Sequence, residues 1–115
     1  MSSIAQLDAA ILSVGNLKTL AASPSRWLRL GNLIGRVNRL RGYGDFLHYH
    51  LLARGALEAV LESDLGILDI AALTVIVREA GGVVTDLEGA PIDMASTSVL
   101  AGNAAMHAAV LAALS

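Results

Sequence analysis

The sequence predicts an α/β domain: a mixed, mostly parallel sheet of about five strands with helices on both faces. Two observations carry this. Strand-length apolar runs alternate with segments of helical periodicity along almost the whole chain. The strand runs are also nearly free of polar residues, as expected where both faces of a sheet are covered. A chain of 115 residues fits one domain, with no internal repeat, low-complexity tract or linker.

The elements follow in order. "AAILSVGN" (9–16) holds a short apolar run closed by Gly-Asn, a buried strand and turn. "SPSRWLRLGNLIGRVNRL" (23–40) opens with Ser23 as a cap and Pro24 at the first helical position. Its Trp27, Leu30, Ile34 and Val37 recur at helical spacing. "RLRGYG" (39–44) reads as a strand closed by glycines. "DFLHYHLLARG" (45–55) reads as a helix with Asp45 near its start and Gly55 past its end. "ALEAVLE" (56–62) is a strand, and "DIAALTVIVREAGG" (69–82) a helix that Asp69 opens and two glycines stop. "GVVTD" (82–86) is a strand followed by the turn "LEGAP". "TSVLAGN" (97–103) is a strand, and "AAMHAAVLAALS" (104–115) a terminal helix rich in alanine.

Composition sets limits on function. The hydrophobic fraction is 55% and the charged fraction 16%, with a mean hydropathy of +0.62. These exceed the usual apolar share of about 45–50% in soluble domains. No run reaches the roughly 18 apolar residues of a membrane span, so the excess points to core plus a face that expects a partner. Net charge of −2 argues against nucleic acid or an anionic membrane as partner. One local exception is the gathering of Arg26, Arg29, Arg36, Arg39 and Arg41, read as a solvated face with one or two ion pairs or as an anion-facing edge. The absence of cysteine excludes disulfides, thiolate metal sites and thiol nucleophiles. "MSSIAQLDAA" lacks the basic and apolar regions of a signal peptide, so a cytoplasmic protein is expected.

In such sheets ligands gather at strand carboxyl ends and helix starts. Asp45, Glu62 and Asp69 fall there. Glu62 and Asp69 are joined by a short loop and could share one rim, where carboxylates and helix starts suit a divalent cation and a phosphate. Each has a plainer reading: Asp69 as a helix cap, Asp45 as a first-turn acid, Glu62 as an exposed strand end. His48 and His50, two apart, point to different sides of a helix and form no metal pair. His107 stands alone, and Trp27 suits a core or interface anchor. No nucleophile–base pair emerges, and "RGYGDF" lacks the lysine and spacing of a phosphate-binding P-loop.

"LDIAALTVIVREAGGVVTDLEG" (68–89) resembles the C-terminal motif of the inositol-monophosphatase family: Trp-Asp-x-Ala-Ala, an apolar helix ending Glu-Ala-Gly-Gly, a strand, and Asp-x-x-Gly. The chain matches with Asp69, Ala71, Ala72, Glu79, Ala80, Gly81, Gly82, Asp86 and Gly89. "RGYGDFLHYHLLARGALEAVLE" (41–62) is similar to the segment before that motif, and "RGYGDF" looks more like the bacterial histidinol-phosphate phosphatases than the inositol enzymes. The resemblance covers nearly the whole chain.

The resemblance implies a magnesium-dependent phosphomonoesterase built of two sheet-containing halves with the site between them. It implies Asp69 as a metal ligand and Glu62 as a contact to substrate hydroxyl or amine groups. It also implies Gly44 and Asp45 on the substrate side, with Arg41 steadying that wall. Two departures stand out. Leu68 occupies the usual Trp position, and the Asp-Pro-x-Asp-Gly-Thr segment of the family's first half does not occur. The expectation is therefore a single C-terminal domain over 1–115, without the N-terminal metal-binding half and inactive alone. It is expected to self-associate as a homodimer, with Trp27 and the terminal helix as anchors, or to join a complementary half. The competing readings are an isolated half-domain with a structural role only, and a binding protein that keeps an anion rim.

Overall fold

The computed structural model describes all residues, 1–115. Five strands form one sheet: β1 (Ile11–Val14), β2 (Arg39–Arg41), β3 (Ala59–Glu62), β4 (Val83–Thr85) and β5 (Val99–Gly102). Their spatial order is β2-β1-β3-β5-β4. β1 runs parallel to β2 and β3, while β5 runs antiparallel to β3 and β4. The mixed, mostly parallel sheet is thus observed, with β5 the one reversed strand. The segment between β4 and β5 contains no helix, so it lacks the crossover that a parallel pairing requires.

Strand alternation splits the core. Leu12, Ala59, Leu61 and Leu100 point to one face, where Leu20, Leu30, Leu33, Met106, Val110 and Leu114 cover them. Those residues come from α1 (Lys18–Ala21), α2 (Pro24–Ile34) and α5 (Ala104–Leu114). Val60, Val99 and Ala101 point to the other face. They pack on Tyr49 and Leu52 of α3 (Leu47–Ala53) and on Ile70, Leu73 and Val77 of α4 (Ile67–Glu79).

Several details correct the sequence reading. The four-residue α1 falls between the expected first strand and helix, too short to leave a period. Ser23 occupies the cap position of α2 and Pro24 its first turn, but the serine side chain makes no capping bond. The buried stripe of α2 is Leu30 and Leu33, whereas Trp27 and Ile34 are exposed. The helix ends at Ile34, so the longer stripe expected from Trp27 to Val37 never forms on one helix. The terminal helix turns Met106, Val110 and Leu114 into the core, leaving mainly alanines outside.

The Arg39 and Arg41 side chains are exposed on the edge strand β2, flanking half-buried Leu40. Charge on an edge discourages pairing with another sheet. Among the clustered arginines only Arg26 meets a carboxylate, Glu88 at 3.8 Å. Pairs this exposed contribute at most about 1 kcal/mol.

Candidate functional site

Because β2, β1 and β3 are parallel and adjacent, their carboxyl ends share one edge. The loop after β2 carries Asp45, β3 ends on Glu62, and α4 starts shortly beyond. These segments enclose a cleft of about 170 Å³ lined by Asp45, Phe46, Glu62, Leu65, Asp69 and Leu73. Three of the acids expected from the sequence therefore meet, and the lining contains no basic residue. Gly44 and Arg41 do not line the cleft. Arg41 ends β2, and its guanidinium donates to the Leu40 carbonyl at 3.1 Å.

Asp69 is the third residue of α4, whose cap position is Gly66. It therefore does not open the helix, and no side chain caps this helix start. A carboxylate in the first turn still gains from the helix dipole, but the capping reading of Asp69 fails. Asp45 likewise lies ahead of α3, which begins at Leu47 with Phe46 at its cap. It is not a first-turn acid. Gly44 and Asp45 both adopt left-handed conformations, with φ of 68° and 49°. These two turns swing the chain from the strand end onto the cleft wall.

Glu62 departs furthest from its expected setting. It is only 6% exposed, not an exposed strand end. Tyr49 donates its hydroxyl to Glu62 Oε1 at 2.7 Å, and His48 Nε2 lies 3.2 Å from the same oxygen. On its far side, His48 Nδ1 is 2.9 Å from Ser13 Oγ, which also accepts the Tyr43 amide at 3.2 Å. Burial alone would raise the Glu62 carboxyl. Hydrogen bonds from His48 and Tyr49, with lesser help from the Asn16 backbone, outweigh it and hold the group below its ordinary value. Burial, the hydrogen bond to Glu62 and its charge push Tyr49 strongly up, which keeps the phenol a donor. Gly15 leaves the room: a Cβ there would overlap the Glu62 carboxylate.

Sequence reading missed this support. The i, i+2 spacing places His48 and His50 on opposite sides of the helix, and so they are: His48 is fully buried and His50 exposed. The available signal was Ser13, the one polar residue inside the apolar run of β1. A second polar knot also went unread. Asp64 (φ 61°) accepts from the Thr19 hydroxyl and amide and from Ser63, tying α1 to the loop after β3. Those bonds, the Thr19 hydroxyl first, hold the Asp64 carboxyl below its ordinary value.

No three Asp, Glu or His side chains converge to hold a metal ion.

A sheet sandwiched by helices, with acids collected at the carboxyl edge of its parallel strands, defines an α/β domain whose cleft lies where such sheets commonly take ligands. The profile of the inositol monophosphatase family matches residues 17–115, and the chain belongs to that family. It is 40% identical to a histidinol-phosphatase of Mycobacterium tuberculosis, across 99% of this chain and 43% of that protein. It is 36% identical to a histidinol-phosphatase of Streptomyces coelicolor, across 84% of this chain and 40% of that protein. Among solved structures, the extragenic suppressor protein suhB of Bartonella henselae superposes with a TM-score of 0.88 at 30% identity, covering 99% of this chain and 44% of that one. The chain thus spans less than half the length of these relatives.

Proposed function

We propose that this chain is the C-terminal, substrate-side half of a magnesium-dependent phosphomonoesterase resembling histidinol-phosphatase. The observation that carries the reading is the cleft lined by Asp45, Glu62 and Asp69 without a basic residue. Such a wall suits the hydroxyl or ammonium side of a substrate, because carboxylates bind those donors through charge-assisted hydrogen bonds. It does not suit a phosphate directly, so neutralisation of the phosphoryl group falls to residues outside this chain. Glu62 accepts from the substrate's alcohol or amine side, Asp45 adds charge to the opposite wall, and Asp69 contributes one metal ligand. Magnesium then requires further ligands from a complementary half, supplied in cis or in trans. A cytoplasmic setting follows from the same reading.

The test is phosphate release from L-histidinol phosphate with magnesium. The chain alone is expected to be inactive, and adding the family's first half to restore activity. Asp69→Asn is expected to abolish the restored activity. If both halves fold and bind one another yet release no phosphate, the reading fails.

A second reading has its own support. The outer face of α4 exposes Leu68 (86%) and Val75, and Met94 lines a groove with Val75. In that reading the chain is a half-domain that self-associates through this face and has no catalytic role. Sedimentation over a range of concentrations separates the two: a monomer throughout removes the self-associating reading.

A further inference from the structure

Of the buried polar groups on the α3 side of the sheet, Glu62 reaches the cleft, but Ser13, His48 and Tyr49 do not line it. His48 and Ser13 are fully buried, and each is held at both ends. Burying an imidazole is costly unless its nitrogens are satisfied, and an apolar side chain would fill the space with less penalty. What distinguishes this imidazole is what it joins. One nitrogen meets the carboxylate at the end of β3. The other meets Ser13, whose oxygen holds the Tyr43 amide in the loop that leads to Asp45.

The proton positions follow from donor and acceptor counting. The Tyr43 amide can only donate, so Ser13 Oγ accepts from it. The single Ser13 hydroxyl proton is then free to point at His48 Nδ1. With Nδ1 accepting, Nε2 carries the ring proton and donates to Glu62 Oε1. Of the two neutral tautomers, this is the one that gives the Glu62 carboxylate a donor and the Ser13 hydroxyl an acceptor, and no buried side-chain atom is left without a partner.

We propose that His48 is a positioning residue for the cleft: through Glu62 on one side and Ser13 on the other, it fixes the Glu62 carboxylate relative to the loop carrying Asp45. The proposal rests on the reading of the cleft as the site for the substrate's alcohol side. Oε1 receives both Tyr49 and His48, so the carboxylate cannot rotate without breaking two bonds at once. The spacing of Glu62 and Asp45, and hence the size of the polar group accepted between them, is set from behind by a residue that never touches it.

The experiment uses the 115-residue chain, labelled for NMR at neutral pH, with His48→Leu, His48→Gln and Ser13→Ala. In the wild type, His48 is expected to show Nδ1 as acceptor and Nε2 protonated; the opposite tautomer overturns the relay. In His48→Leu, the Glu62 carboxyl and the Tyr43 and Asp45 amides are expected to shift together. Gln keeps an N–H in reach of Glu62, so His48→Gln restores the Glu62 signal alone. Ser13→Ala, which keeps the imidazole, is expected to move the Tyr43 amide and free the His48 tautomer. It also serves if His48→Leu does not fold. A folded His48→Leu that shifts neither Glu62 nor the Asp45 loop overturns the proposal.

A kinetic arm uses L-histidinol phosphate with the first half in trans. His48→Leu should raise KM about tenfold with kcat within about threefold, the size of one hydrogen bond to a charged group, and His48→Gln should stay within about threefold of wild type. An unchanged KM in His48→Leu overturns the positioning role. Inactivity of the wild type instead overturns the functional reading, and the NMR arm then decides the relay by itself.

Discussion

The two buried histidines lie on opposite faces of the sheet and end in different places. His48, on the α3 face, sits between a serine and the Glu62 carboxylate. His107, on the α5 face, meets Thr85 Oγ1 at 2.8 Å, and that hydroxyl donates to the Asp86 carbonyl. Thr85 has a single proton and spends it on the carbonyl, so it must accept from His107 Nε2. The second relay stops in the backbone, whereas the first stops at a carboxylate that borders a cleft. Burial pulls the His107 imidazole below its ordinary value. Two histidines of similar burial thus serve different ends, and what decides the matter is the group at the end of each relay.

Substitutions at those ends should separate the two. Glu62→Leu strands two buried donors, Tyr49 and His48, and should cost about 2–5 kcal/mol in denaturant unfolding. Thr85→Val strands one buried donor, His107, and should cost about 1–2 kcal/mol. Equal losses would break the contrast. Gly15→Ala forces the Glu62 carboxylate aside, and a loss of about 1–3 kcal/mol is expected from overpacking. It should also shift the Glu62 carboxyl resonance while leaving His107 unmoved.

Acid sharpens the contrast further. Folding holds the Glu62 carboxyl below its ordinary 4.5, so its stabilisation is complete above that pH and fades as pH falls through the lowered value. His107 resists protonation in the fold, so stability begins to fall once pH drops below 6.5, where the unfolded chain takes up the proton. Melting temperatures measured as pH is lowered should show the His107 loss first and the Glu62 loss second, and Glu62→Gln should remove only the second. The exposed His50 provides the baseline: His50→Ala should change stability by no more than about 0.5 kcal/mol.

The elements themselves were legible because their residues carry local signals. Pro24 marks a helix start, Gly55 and Gly81 follow helix ends with φ of 82° and 89°, and β3 is buried along its whole length. The reversed β5 was readable in principle from the helix-free segment before it. Asp45, Glu62 and Asp69 could be placed on one rim because parallel strands send their loops to one edge. The setting of Glu62 was not legible. Its partners Tyr49 and His48 come from α3, and no periodicity reports which polar residue a packed helix turns inward. The same limit blurred α2's stripe: Leu30 was legible, but Leu33 is chosen by the sheet beneath it, whereas Trp27 has equal claim from spacing alone.

The backbone at Gly44 and Asp45 has a consequence for how this cleft can change over time. Successive left-handed residues exclude β-branched and bulky side chains, and tolerate mainly glycine, asparagine and aspartate. At Asp45 the accessible replacements are therefore asparagine, which removes the charge at constant size, and glycine, which removes the side chain altogether. Larger residues are barred by the main chain and not by the contents of the pocket. That wall behaves as a switch with few settings, so a descendant of this protein would alter its preferred ligand there in discrete jumps of charge, while gradual changes of shape would have to arise on the Phe46 and Leu65 sides.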